Sequence, residues 1–459
     1  MSHLVLAGYR LCKNKESTQR HQKVPFLFSN FKGAKMRVLV KELKDKIGQQ
    51  VLLYLTLDVL RDQKHIQFIL GHDKSGSIQL VISKDKVENH EEIGQLLQGS
   101  TFTVKGKVVE TSQSKTYGLE IQVDSIDIMS KAEAFPITED SSIDLRFDFR
   151  AVDLKFPKQQ LMLKLRSAFE QGCREYLLSK EFTEIHTAKL MSRASESGSQ
   201  VFKVDYFGKQ AFLSQSPQEG KELLVSSGLE GVFEIGSIFR AEDSRSSRHL
   251  TEFIGIDVEF AWCFEVEEVM KLEEEMLTYA FSKLEPFKQE VKSLYGIELT
   301  TKPTVKYITL NEAKSILKEK CGMSLGKEQD LPDEGERMLY EILGFDFIFV
   351  SGYPIAKRPF YHMWEREKGT TKSFDLIFKG IEITSGAIRE HRQDVFAKQV
   401  VEKGVSLESV ENYLKVFKYG CPPHGGFGIG VERIVAKLLG LSSVKEASAM
   451  PRDPDRLTP

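Results

Sequence analysis

Between residues 38 and 130 the chain repeatedly alternates apolar and polar positions, in short runs broken by turns. The runs are V-L-L-Y-L-T-L-D-V from Val51, I-Q-F-I-L from Ile66, I-Q-L-V-I from Ile78, T-F-T-V-K-G-K-V-V from Thr101 and L-E-I-Q-V-D-S-I-D-I from Leu119. Period-two alternation of this length predicts five half-buried strands. A helical pattern between the third and fourth, and a D-K-S-G-S turn at 73–77, predict a small Greek-key barrel of the OB type. Residues 131–157 lose periodicity and read as a hinge. Leu161, Leu163, Leu165, Phe169 and Tyr176 then mark a long helix, and strand patterns dominate up to Glu259. Val266, Val269, Met270, Met276, Leu277, Ala280 and Leu284 trace an amphipathic helix, and a short apolar helix spans Val431–Leu439. Sheet and helix follow in a non-alternating order, so the fold class is α+β. The late G-G-F-G-I-G at 425–430 has no βαβ unit behind it and is a poor dinucleotide fingerprint. Its small residues instead suggest close approach of backbone to a nucleotide.

Composition narrows the class without choosing a function. With 459 residues, 41% hydrophobic and 28% charged, the chain is of ordinary globular type and long enough for two or three domains. No apolar run is long enough to span a bilayer, and the start lacks a signal-peptide core. Cys12, Cys173, Cys263, Cys321 and Cys421 are scattered without a C-x-x-C pair, which points to a reducing cytoplasmic compartment and against structural zinc. Net charge is only −2, yet residues 1–50 hold 11 Lys and Arg against 3 Asp and Glu. The basic extension, residues 1–37, suits a phosphate backbone or a solvated tail.

The densest chemistry lies in F-R-A-E-D-S-R-S-S-R-H-L-T-E-F, residues 239–253, and the I-D-V-E that follows. Two apolar strand patterns flank a loop rich in Arg, Asp and Ser. This arrangement places fixed cations beside carboxylates, as a polyphosphate and its magnesium ion require. A salt-bridged surface hairpin is the simpler alternative for this run alone.

Four blocks occur in one order: F-T-E-I-H-T-A-K-L (182–190), Q-S-P-Q-E-G-K (215–221), the 239–253 run, and G-F-G-I-G-V-E-R (426–433). Together with the ending P-R-D-P-D-R-L-T-P, they resemble the class II aminoacyl-tRNA synthetases, specifically aspartyl enzymes of archaeal and eukaryotic cytosolic type. The resemblance implies an N-terminal OB-fold anticodon-binding barrel (38–130), then a catalytic domain (158–459) with an antiparallel sheet flanked by helices. It implies ATP, L-aspartate and tRNA-Asp as substrates, with tRNA-Asn a further candidate, Mg2+ as cofactor, and a homodimer.

Residue roles follow from the same resemblance. Arg240 would hold the α-phosphate and the attacking carboxylate; Arg433 would pair with the γ-phosphate and cover adenine opposite Phe253. Ala241, Glu242, Arg248, His249, Leu250, Gly430, Val431 and Glu432 would complete the ATP site. Asp375, Glu382 and Ser385, on F-D-L-I-F-K-G-I-E-I-T-S-G-A-I-R (374–389), would bind magnesium, although Asp375 has Lys379 as an alternative partner. Lys221 and Arg389 would clamp the β-carboxylate, with Asp257 orienting the lysine. Two fixed cations favour the acid over its isosteric amide. Gln218 and Glu196 would hold the α-amino group, and Ser385 would also face aspartate. In the barrel, Phe68, Gln79 and Glu120 would contact anticodon bases, Phe68 by stacking.

Three positions depart from the family pattern. Ala188 stands where motif 1 has proline, Ser197 where the mobile loop has glycine, and Arg245-Ser246-Ser247 where motif 2 has N-T-H. The first touches the expected dimer strand and the last the loop that meets the tRNA acceptor end. The altered loop leaves room for a paralogue that adenylates aspartate but serves a non-tRNA acceptor. Joint retention of Arg240, Glu382 and Arg433 speaks against a non-catalytic RNA-binding protein.

Overall fold

The alternating N-terminal runs form five strands: β1 (Gln50–Asp62), β2 (Ile66–Asp73), β3 (Gly76–Ser83), β4 (Thr101–Glu110) and β5 (Leu119–Ser130). They close into a barrel in the order β1-β2-β3-β5-β4, and closure leaves no unpaired sheet edge. The computed structural model describes residues 37–112, 118–193 and 201–458, so most of the basic extension lies outside the described residues. The chain divides into two units, Met1–Phe135 and Pro136–Pro459. One apolar residue in two points inward, so Leu53, Ile69, Leu80, Val104 and Ile121 are buried in the barrel. A short helix, His90–Ile93, separates β3 from β4. Phe68, Gln79 and Glu120 alternate with these core positions and are half-buried. Gln79 lies opposite Glu120 across β3 and β5, and its amide donates to that carboxylate at 3.3 Å.

Within 131–157, expected to be aperiodic, two short helices form at Ile143–Asp148 and Arg150–Asp153. Their order comes from tertiary contacts that no periodicity reveals. Arg146 and Arg150 converge on the buried Asp153, and Arg150 also donates to the Ala449 carbonyl at 3.1 Å.

The second unit is built on eight strands: β6 (Thr183–Glu184), β7 (Gly231–Phe239), β8 (Glu252–Ala261), β9 (Val305–Thr309), β10 (Phe347–Ser351), β11 (Ser373–Phe378), β12 (Ile381–Ile388) and β13 (His424–Gly430). Their order is β9-β10-β11-β12-β13-β8-β7-β6. The central six run antiparallel, whereas the edge strands β6 and β9 run parallel to their neighbours. Helices Pro157–Ser179 and Val266–Ser282 pack on the sheet through Leu165, Phe169, Leu277 and Phe281, against Phe347, Phe378 and Phe427. That packing makes the sheet rigid under the site. No helix among the described residues is long and apolar enough to cross a membrane.

Candidate active site

The sheet carries a cavity of about 420 Å³ walled by β7, β8, β12, β13 and the segments between them. Gln218, Lys221, Arg240, Glu242, Arg248, His249, Leu250, Phe253, Asp257, Glu382, Ser385, Arg389, Gly430, Glu432 and Arg433 line this one space. Six Lys or Arg side chains face it against four Asp or Glu, a balance that favours anionic ligands.

At one end Lys221 and Arg389 are buried, with 2% and 3% of their surfaces exposed. Q-S-P-Q-E-G-K opens a helix, Gln218–Ser226, whose first turn puts Gln218 and Lys221 on one face. Lys221 Nζ lies 3.1 Å from Asp257 and 3.2 Å from Glu259. Arg389 grips the same Glu259 through Nε at 3.0 Å and Nη2 at 3.2 Å. Asp257 and Glu259 stand two apart on β8 and share a face. Burial raises the Glu259 pKa, but Arg389 and Lys221 outweigh it and hold the carboxyl below its ordinary value. The glycines of β13 make this possible. A Cβ on Gly426 would stand 2.1 Å from the Val258 carbonyl and 2.5 Å from Glu259. At Gly426 the close approach is to a buried carboxylate and a neighbouring strand, while Gly428 and Gly430 of the same run line the cavity.

Along β11 and β12, three oxygens converge. Asp375 lies opposite Ser385, whose hydroxyl donates to it at 2.7 Å and to Glu382 at 3.4 Å. Glu382 and Ser385 are three apart and in a regular strand would face opposite ways. An irregularity between Leu376 and Ile377 pairs Glu382 with Ile377 and restores the shared face. Lys379, the alternative partner of Asp375, instead sits in the turn and donates to Thr300 at 2.6 Å. Asp375 is held by Arg358, which the sequence reading missed, at 2.5 Å. Burial, with Asp375 and Glu336 nearby, pushes the Glu382 carboxyl up to about 7 despite Arg433. Such a cluster of hard, mutually repelling oxygens fits a magnesium ion, whose charge relieves that repulsion.

The opposite end is more open. Arg240 packs its guanidinium over Phe253 at 5.6 Å, with nearly half of its side chain exposed. Arg433 donates to the Glu382 carbonyl at 2.8 Å, which ties this open end to the oxygen cluster. Arg248 is engaged by Asp333 at 2.5 Å and Glu336 at 2.6 Å; Glu336 also accepts the Glu382 amide at 2.8 Å. His249 rests on Ser246 through Nδ1 at 2.6 Å and faces Glu242 through Nε2 at 3.6 Å. Burial and the cations Arg433 and Arg248 lower its pKa, against Glu242. Arg245 turns away to Asp243 and Asp455.

Not every residue named from sequence faces the cavity. Val431 is fully buried in the core, and Ala241 and Asp375 do not form its wall. Glu432 reaches the wall but is paired with Arg166 at 3.0 Å and accepts the Ile254 amide. Glu196 lies outside the described residues. Among the described residues, sequence reasoning missed Arg358, Tyr361 and His362 in the wall, and Glu336 and Glu222 behind it. Only R-P-F-Y-H, a basic and aromatic run, carried any local signal for them.

The family model for class II tRNA synthetases (D, K and N) matches residues 142–454. The aspartate–tRNA(Asp/Asn) ligase of Thermus thermophilus is 41% identical over 92% of this chain and all of its own length. The aspartate–tRNA(Asp) ligase of Pyrococcus abyssi is 37% identical over 90% of this chain and 97% of its own. Among solved structures, an asparaginyl-tRNA synthetase from Pyrococcus horikoshii complexed with asparaginyl-adenylate superposes with TM-score 0.85 at 32% identity. It covers 92% of this chain and 99% of its own. The aspartyl tRNA synthetase of Entamoeba histolytica covers both chains fully, with TM-score 0.82 and 27% identity. With the OB-type barrel, the central antiparallel sheet and this cationic cavity, the chain belongs to the class II tRNA synthetases of the D, K and N group.

Proposed function

We infer that this chain is an aspartate–tRNA ligase, activating L-aspartate with ATP and passing it to tRNA. The observation that carries the reading is the sharing of one carboxylate, Glu259, by Lys221 and Arg389 in the cavity that also holds Arg240 and Arg433. Two buried cations at one end suit the β-carboxylate, and two arginines at the other suit a triphosphate.

An oxygen of the aspartate α-carboxylate attacks the α-phosphorus, and the bond to the β-phosphate oxygen breaks, releasing pyrophosphate. The site's task is to hold two anions together and spread the charge that builds on the phosphoryl oxygens. Arg240 would grip both reactants and Arg433 the far phosphate, a reading supported by the two arginines lining the same cavity as Lys221 and Arg389. Asp375, Glu382 and Ser385 would hold magnesium, which supplies charge neutralisation on phosphate oxygens. The terminal ribose hydroxyl of tRNA then attacks the activated carbonyl carbon, losing its proton as AMP departs. Phe68, Gln79 and Glu120 of the barrel (38–130) take the anticodon. The enzyme works in the cytoplasm as a homodimer. tRNA-Asn is a second acceptor candidate, since similar ligases are named for both tRNAs.

The test is pyrophosphate exchange and charging with purified tRNA-Asp and tRNA-Asn side by side. Aspartate-dependent exchange far above that with asparagine, plus charging of tRNA-Asp, is expected. Exchange without charging of either tRNA assigns the adenylate to another acceptor. Absence of exchange refutes the reading.

A further inference from the structure

Beneath the amino-acid end lies a polar layer with no assigned role. Glu222 and His424 are both fully buried, and His424 Nε2 stands 3.3 Å from Glu222 Oε2. The other Glu222 oxygen, Oε1, accepts from the Gln218 amide at 2.5 Å. That same amide nitrogen reaches Glu259 Oε2 at 3.4 Å. His424 Nδ1 is engaged by the Pro422 carbonyl at 2.8 Å.

Glu222, Glu259 and His424 lie within 4.8 Å of one another, a spacing that also occurs around metal ions. Here charge is already compensated. Lys221 and Arg389 serve Asp257 and Glu259, and His424 serves Glu222. Burial drives the imidazole toward neutrality, but its contacts with Cys421 and Glu222 outweigh that and raise its pKa well above the ordinary value. The layer is a closed ion network that holds the floor of the pocket.

Its consequence falls on Gln218. A side-chain amide has a donor end and an acceptor end, and its neighbours decide which way each faces. Carboxylates only accept. Glu222 and Glu259 therefore fix the Gln218 nitrogen inward and leave its carbonyl oxygen toward the cavity it lines. We propose that Glu222, braced by His424, is a positioning residue that presents the Gln218 oxygen to the substrate α-ammonium and so selects amino acids over simple dicarboxylates. The proposal rests on Gln218, Lys221 and Arg389 forming the aspartate pocket.

Succinate, which is aspartate without the amino group, isolates this contribution. The full-length enzyme is assayed for its KM for aspartate in pyrophosphate exchange and for inhibition by succinate. Glu222→Met, which removes both acceptors, is expected to raise the KM for aspartate about 10- to 100-fold, the loss of one contact to a charged group. Succinate inhibition should stay within about threefold, because the clamp is untouched. Glu222→Gln should recover most of the loss: its one oxygen takes Gln218, and its nitrogen faces a neutral His424. The double variant Glu222→Met/His424→Leu, which removes both members of the ion pair together, keeps the test available if the single variant misfolds. Parallel weakening of aspartate and succinate, or no change in either, overturns the proposal. Gln218→Met separates the two levels of inference. If it lowers the aspartate preference and Glu222→Met does not, only the present proposal fails. If Gln218→Met itself leaves that preference unchanged, the assignment of the pocket fails.

Discussion

The two ends of the cavity present their cations by different physical means. At the amino-acid end Lys221 and Arg389 are almost completely buried, and Asp257 and Glu259 hold both in place. Their geometry is set before substrate arrives, so little is lost to ordering or solvent reorganisation. At the end proposed for the nucleotide Arg240 is nearly half exposed, and Arg248 is occupied by carboxylates that a triphosphate would have to displace. Rigid burial suits discrimination between an acid and its amide, where one charge must decide. A half-exposed Arg240 and an Arg248 that exchanges partners suit a large ligand shared by many enzymes, which has to enter and leave as pyrophosphate and AMP.

Three substitutions would break or sharpen this contrast. The largest effect is expected from Lys221→Met, which leaves Asp257 and Glu259 short of a buried cation. A loss of ~3–5 kcal/mol in aspartate use, several hundredfold or more in kcat/KM, is expected, with ATP binding retained. Equal loss of aspartate and ATP binding would show that the two ends are not independent.

Next is Glu273, buried beneath β12, where Thr384 donates to it at 2.6 Å. Burial pushes its carboxyl up to about 8 from 4.5, Thr384 opposes the shift, and Asp375 adds to it. The folded protein thus holds this proton more tightly than the unfolded chain. Its contribution to stability is greatest below about 4.5 and falls as pH rises toward 8. Glu273→Gln should match the parent in denaturant unfolding near pH 4.5. It should exceed the parent by up to about 4 kcal/mol at pH 8. A constant difference across that range would contradict the assignment.

The smallest change is expected at the open end. Arg248→Ala should raise the KM for ATP about tenfold and leave the KM for aspartate unchanged, as measured by exchange. A larger effect on aspartate would mean that Glu336, freed of Arg248, disturbs Glu382 through the backbone contact they share.

Much of this was legible in the chain. The barrel came from period-two alternation, because a closed sheet with one buried face needs nothing else. The helices came from apolar spacing, and the Lys221, Arg240, Glu382 and Arg433 positions from ordered motifs. Glu259 stood in plain view in the 239–259 run, yet its role as the anchor of both cations depends on a helix before it and on Arg389, 130 residues away. The shared face of Glu382 and Ser385 was hidden by a strand irregularity, which a three-residue spacing argues against. The helices at 143–153 escaped notice because buried Arg–Asp pairs, not apolar periodicity, order them.

Local patterning alone determined which segments become strand or helix, where the barrel ends and which charged residues are costly to bury without a purpose. These are properties of neighbours in the chain, set by backbone sterics and the need to hide apolar surface. Tertiary structure alone decided which carboxylate meets which cation and which end of the Gln218 amide faces the pocket. Those pairings depend on distances between residues far apart in sequence, and in a buried site a shift of one position turns attraction into an uncompensated charge.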